Sequence, residues 1–254
     1  MAFNLSTIRR GVVHTPPRVV VYGPHGVGKT TFAACAPSPI LMQTEDGEGI
    51  IDVPRWGLLR TYADIMEAFG TLINERHEFA TAAIDTMDWL EPIVHAETCA
   101  RNKWSDIEAP GFGKGYLAAD DVWREVFAGL DAMRAKGMAV ILLAHSEVKQ
   151  FNDPVNDPFD RYQIKLQKRG ASLMQEWADA VLFATYKTYT EKTDAGFRKT
   201  VTKGKGHGER VLYTEERPAF YAKNRYGLPP EIELSYQAFS QAMYPQPQVE
   251  PANQ

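Results

Sequence analysis

The sequence predicts an α/β domain, a mostly parallel sheet with helices on both faces and an antiparallel extension near the C-terminus. Three observations predict it. Short apolar runs recur at 18–22, 39–43, 79–84 and 138–144, a length and composition that fit buried strands. Segments with helical spacing of apolar residues separate them, the alternation that gives parallel strands joined by crossover helices. After residue 178 the strand-like runs follow one another with only short connections, which suits antiparallel pairing.

The elements follow in order. Residues 18–22 (RVVVY) read as a buried strand ending in glycine, and a helix starts near Gly28 and stops before Pro37. Cys35 on that helix is expected to be a small buried residue. Residues 39–43 (PILMQ) form a second strand before an acidic turn, and 57–60 a short third candidate. Tyr62, Ile65, Met66, Phe69, Leu72 and Ile73 lie at the spacing of an amphipathic helix. Residues 79–84 make a strand closed by Asp85, 86–104 a helix, 106–115 a loop rich in Gly and Pro, and 116–136 a helix stopped by Gly137. The run MAVILLA at 138–144 is apolar enough for a central strand. Residues 146–168 read as a long loop, 170–177 as a short helix and 178–186 as a strand. Residues 197–202 and 210–214 read as a hairpin around KGKGHG, and 237–243 as a last helical turn. The division expected is an N-terminal segment at 1–15, suited to a subunit contact, one α/β domain at 16–243 and a disordered Pro/Gln-rich tail at 244–254.

Composition narrows the function classes. A hydrophobic fraction of 44% and a charged fraction of 24% are ordinary for a globular protein. No run approaches the roughly 20 apolar residues that span a bilayer, and the first ten residues lack a secretory pattern, so a cytoplasmic protein without membrane contact is expected. Two cysteines make neither a disulfide framework nor a metal site. The net charge of −4 argues against a generally basic coat. Its distribution is uneven, because the acidic excess falls in the first 160 residues and a basic excess in the remainder, a pointer to a polyanion surface.

Gly23-Pro24-His25-Gly26-Val27-Gly28-Lys29-Thr30 matches G-x-x-x-x-G-K-[ST], between a strand and a helix as the motif requires. The glycines let backbone N–H groups wrap phosphate oxygens, Lys29 reaches the β- and γ-phosphates, and the Thr30 hydroxyl ligates Mg²⁺. With Thr31 these residues form the expected ATP site. Asp85, at the end of TAAID, fits the carboxylate that holds Mg²⁺ beside the phosphate loop; an ordinary helix cap is the alternative. Glu45, after the second strand, is the candidate for polarising the attacking water, with Asp46 and Glu48 as competitors. His145, at the end of MAVILLA, is placed to sense the γ-phosphate and relay its state to the following residues.

GPHGVGKT, QTEDGEG, AAID and LLAHS occur in the order and spacing of RecA-type ATPases. The chain resembles a phage-encoded branch of small RecA-like AAA-type proteins used as single-strand DNA-annealing recombinases, a likeness that extends to EWADAVLF and AFYAKNRYGLP and spans about 16–235. The resemblance implies a RecA-like P-loop core, ATP and Mg²⁺ as cofactors, single-stranded DNA as partner, and self-assembly into a ring or filament. A single-strand DNA-binding protein is a further candidate partner. It also implies that two loops face the DNA, 105–116 with Phe112 and Lys114, and 147–169 with Arg161, Tyr162, Lys165, Lys168 and Arg169. Aromatic and basic residues together suit stacking and phosphate contact without sequence readout. Lys223 and Arg225 resemble the cationic pair that reaches a neighbouring subunit's ATP. The same core also serves helicase-like or packaging motors, and ATP-ordered DNA-binding modules with incidental hydrolysis.

Overall fold

The computed structural model describes residue 4 and residues 15–47, 51–194 and 200–244. The expected N-terminal segment and C-terminal tail therefore lie almost wholly outside the described residues, as does Glu48. Five parallel strands form the centre: β1 (Arg18–Gly23), β2 (Pro39–Gln43), β3 (Thr81–Asp85), β4 (Ala139–Phe151) and β6 (Ala180–Asp194), in the order β2-β3-β4-β1-β6. β7 (Thr200–Tyr213), β8 (Lys223–Asn224) and β9 (Glu231–Glu233) extend the sheet antiparallel. This is the RecA-like α/β arrangement expected, with the antiparallel strands at its C-terminal side.

Strand periodicity explains why β1 lies at the centre. Val20 and Tyr22 face one core with α2 (Tyr62–Asn74), α3 (Met87–Asn102), α4 (Lys114–Ala135) and α5 (Lys168–Trp177). Val19 and Val21 face a second core with α1 (Lys29–Ala34) and α6 (Tyr236–Met243). Successive side chains of a strand point to opposite faces, so a run of four apolar residues suits a strand covered on both sides. The α2 start is set by a reciprocal cap, the Thr61 hydroxyl accepting from Asp64 N–H and the Asp64 carboxylate from Thr61 N–H. α3 buries Met87, Leu90, Val94 and Thr98 on one stripe.

Several expectations need correction. Residues 146–168 are not one loop. β4 continues to Phe151 and pairs antiparallel with β5 (Phe159–Ile164), from Ser146↔Ile164 to Phe151↔Phe159. Polar residues alternate there on a two-stranded ribbon, a weak signal in sequence. KGKGHG is not a turn, because it lies within β7 opposite β6, and the connection at 195–199 is outside the described residues. Residues 57–60 form no strand, although Leu59 N–H donates to the Gln43 carbonyl at 2.8 Å; Pro54 and Arg55 meet the edge of β2 at Leu41. Cys35 is exposed rather than buried, since it caps a helix only six residues long.

Candidate nucleotide site

The parallel strands all deliver residues to one end of the sheet. β1 ends at Gly23, where a Cβ would meet the Ala184 carbonyl oxygen at 2.1 Å, so only glycine lets the chain leave β1 beside β6. Gly28 has φ +112°, in the left-handed region, and a Cβ there would meet Arg210 Nη1 at 2.7 Å. Pro24, His25, Gly26 and Val27 complete the turn into α1. Lys29 is buried, and its Nζ donates to the Gly23 and Pro24 carbonyls at 3.0 and 2.9 Å. Burial pushes the Lys29 pKa down, and nearby Asp85, Asp88 and Glu45 oppose the shift.

The neighbouring strands bring the carboxylates. β2 and β3 are in register at Gln43↔Asp85, and Thr44 N–H donates to the Asp85 carbonyl at 2.9 Å. Thr30 Oγ1 donates to Asp85 Oδ2 at 2.7 Å. Burial raises the Asp85 pKa and the Thr30 hydrogen bond opposes it, so Asp85 is a desolvated carboxylate that a cation would satisfy. Glu45 Oε2 accepts from Thr86 Oγ1 at 3.4 Å and lies 4.0 Å from His145 Nδ1.

His145 ends the central part of β4, opposite Gly23. Its ring stacks on His25 with centroids 3.6 Å apart, so exposed His25 is also a contact of the strand end. Asp88, which sequence reasoning passed over, accepts both His145 N–H and Nδ1. Burial works against the Asp88 charge, but the His145 hydrogen bonds outweigh it and hold the pKa low. The signal was the spacing A-I-D-T-M-D, a second carboxylate in the first turn after the strand-end Asp85. A cavity of about 370 Å³ joins these groups, lined by Lys29, Thr30, Thr31, Glu45, Asp85 and His145, and also by Ile51, Val53 and Arg55.

The glycines that a Cβ would block, the buried Lys29 ammonium and the Thr30–Asp85 oxygen pair fit ATP with Mg²⁺, whose hard cation takes oxygen donors. The aromatic residues Trp56 and Tyr62 do not line this cavity; the Tyr62 hydroxyl donates to Glu125 at 2.5 Å.

The other predicted residues are spread over the molecule. Phe112 is fully exposed at a loop tip with φ +50° between Gly111 and Gly113, both also in the left-handed region. Lys114 is exposed on the first turn of α4. Tyr162, Lys165 and Lys168 are exposed along β5 and the start of α5. Arg161 is buried instead, its Nη2 donating to Glu216 and to the Phe220 carbonyl. Arg169 pairs with buried Asp120, tying α5 to α4. Neither is a free cation, because each meets a carboxylate from a distant part of the chain. Lys223 Nζ donates to the carbonyls of Gln175, Glu176 and Ala178 at the end of α5, so it closes a helix terminus. Arg225 is more than half exposed and lies 3.6 Å from Asp179.

Fold and site together define a P-loop nucleotide-binding protein with a RecA-like core. The family model described as an AAA domain matches residues 15–226, and the chain belongs to that family. Among solved structures it is similar to a RadB recombinase crystal structure, with 13% identity, a TM-score of 0.46, and coverage of 88% of this chain and 90% of that one. No curated protein matches it. Among the described residues, no helix is long and apolar enough to cross a membrane.

Proposed function

We propose that this chain is an ATPase that binds single-stranded DNA in a nucleotide-dependent way and serves recombination by strand annealing. The observation that carries the reading is the continuity of β4. The strand runs from His145 in the nucleotide cavity into the β4–β5 hairpin. Lys165 N–H also donates back to the His145 carbonyl at 2.8 Å. A shift of His145 on phosphate binding is thereby transmitted to Tyr162, Lys165 and Lys168 by backbone hydrogen bonds.

The loop at Gly23–Thr31 and Lys29 would hold the phosphates, and Thr30 with Asp85 would hold Mg²⁺. When bound, that cation draws charge from the phosphate oxygens during hydrolysis. Glu45, steadied by Thr86, takes a proton from the attacking water. His145, held by Asp88, stands where the terminal phosphate is read. Exposed Phe112 and Lys114, with Tyr162, Lys165 and Lys168, supply stacking faces and cations for the strand. Arg225 serves a neighbouring copy's site. It adjoins Asp179 at the start of β6, the opposite end of the sheet from its own phosphate loop. The length of β1, roughly 16 Å at about 3.3 Å per residue, separates the two ends.

The test is ATP turnover with and without single-stranded DNA, beside fluorescence anisotropy of a labelled oligonucleotide in ATP, ADP and no nucleotide. Stimulated turnover and ATP-dependent binding are expected. Loss of all DNA binding would leave only the ATPase core, and one-directional unwinding would move the protein to a motor.

A further inference from the structure

Residues of the hairpin and α5 enclose a second cavity of about 430 Å³, lined by Phe151, Arg161 and Gln163 on one side and Ser172 and Gln175 on the other, with Tyr221 beside them. Its volume lies in the range of small-ligand sites, about 300–1,000 Å³. We propose that it receives one nucleoside monophosphate unit of the bound single strand, a base with its phosphate. This rests on the DNA-binding reading above.

The first argument is an unfilled hydrogen-bond donor. Arg161 is 8% exposed. Its Nη2 is engaged by Glu216 and the Phe220 carbonyl, and its guanidinium lies over the Phe151 ring at 4.9 Å. Its buried Nε has no acceptor among the described residues. Buried donors are nearly always paired, and an orphan calls for an explanation. A phosphate oxygen or a base carbonyl would supply the acceptor once the side chains that cover Nε move aside.

The second argument is the chemistry of the lining. Tyr221 offers an aromatic ring for stacking, beside Phe151, whose ring already carries the Arg161 guanidinium. Gln163, Ser172 and Gln175 can both donate and accept, as base edges require. Lys149 and Lys168 also line the cavity and suit a phosphate. Lys149 is offset by Glu147 at 2.7 Å, whereas Lys168 makes no ion pair among the described residues. Charge, rings and two-way hydrogen bonding in one cavity match a nucleotide better than a peptide or a bare anion.

The experiment uses the full chain with a thymidine oligonucleotide carrying one 4-thiothymidine, irradiated and mapped by mass spectrometry, with a parallel titration of free thymidine monophosphate. Cross-links to the peptides holding Phe151 or Tyr221 are expected. Tyr221→Leu should weaken oligonucleotide binding roughly tenfold with an unchanged melting temperature, and Gln163→Leu serves should the first variant misfold. If the oligonucleotide binds but cross-links elsewhere, and both variants bind as wild type does, the cavity inference is overturned while DNA binding stands. If the oligonucleotide does not bind at all, the DNA reading fails. Saturable thymidine monophosphate binding, lost in Tyr221→Leu, would then show a free-nucleotide site, and its absence would overturn the cavity inference as well.

Discussion

Asp88 accepts two hydrogen bonds from His145, the backbone N–H at 3.0 Å and Nδ1 at 2.9 Å. One carboxylate on the first turn of α3 thus fixes both the end of the central strand and the orientation of its ring. The two side chains are almost fully buried, so neither partner is replaced by water. Asp88→Asn should cost about 1–3 kcal/mol of stability, the range for a hydrogen bond to a charged group and for a buried partner left unmet. It should also lower ATP turnover more than ATP affinity. The sign of the pH effect follows from the depressed Asp88 pKa. Its contribution is fully present above the ordinary value of 3.8 and is lost as pH falls through the folded-state value below it. Urea unfolding of both proteins over a pH series should therefore show the wild-type advantage shrinking in acid below that value. Asp85, whose pKa shifts the other way, is common to both proteins and drops out of the difference.

Lys29→Ala should abolish ATP binding, read by calorimetry or a fluorescent ATP analogue. The side chain brings the buried ammonium of the phosphate cavity. Unchanged affinity and turnover would remove the P-loop assignment.

Glu45→Gln should keep ATP bound and slow turnover by about 10²-fold or more, the usual loss when a positioned base is removed. Single-turnover hydrolysis with pre-bound ATP separates the two effects. Asp46→Asn serves as the comparison, and a larger loss there would shift the base by one residue.

Arg225→Ala should bind ATP normally and hydrolyse it poorly, and mixing it with Lys29→Ala should restore part of the activity. Mixed-subunit rescue arises only when the two defects lie on opposite sides of one interface. A protein that sediments as a monomer with and without ATP and DNA would exclude shared sites.

Lys165→Ala with Lys168→Ala should weaken single-strand binding alike for all sequences. Each lost phosphate contact should flatten the plot of log affinity against log salt by about 0.7. Arg161→Ala should in addition lower the melting temperature, because it breaks a partly buried ion pair with Glu216 and the hydrogen bond to the Phe220 carbonyl. Anisotropy over a salt series and thermal melting distinguish the two kinds of cation.

The phosphate loop was legible because its constraints are local: glycines at fixed offsets, a strand before and a helix after. The position of Asp85 and Glu45 at one end of the sheet was legible for a related reason, as Asp85 closes β3, Glu45 follows β2 by two residues, and parallel strands end together. The β4–β5 hairpin was not, because its alternation lies among polar residues and only pairing across the sheet reveals it. The fate of the cations was equally hidden. Arg161, Arg169 and Lys223 look like Lys165 and Lys168 in sequence, yet their partners stand 55, 49 and about 45 residues away.

Local chemistry and periodicity, readable along the chain, were thus sufficient for the α/β class, the phosphate loop and the strand-end carboxylates. The pairing of Asp88 with His145, the burial of Arg161 and the cavity beside α5 came only with tertiary folding. Each depends on which distant groups share a desolvated space, and there an unpaired charge or donor is costly while a paired one becomes part of the fold.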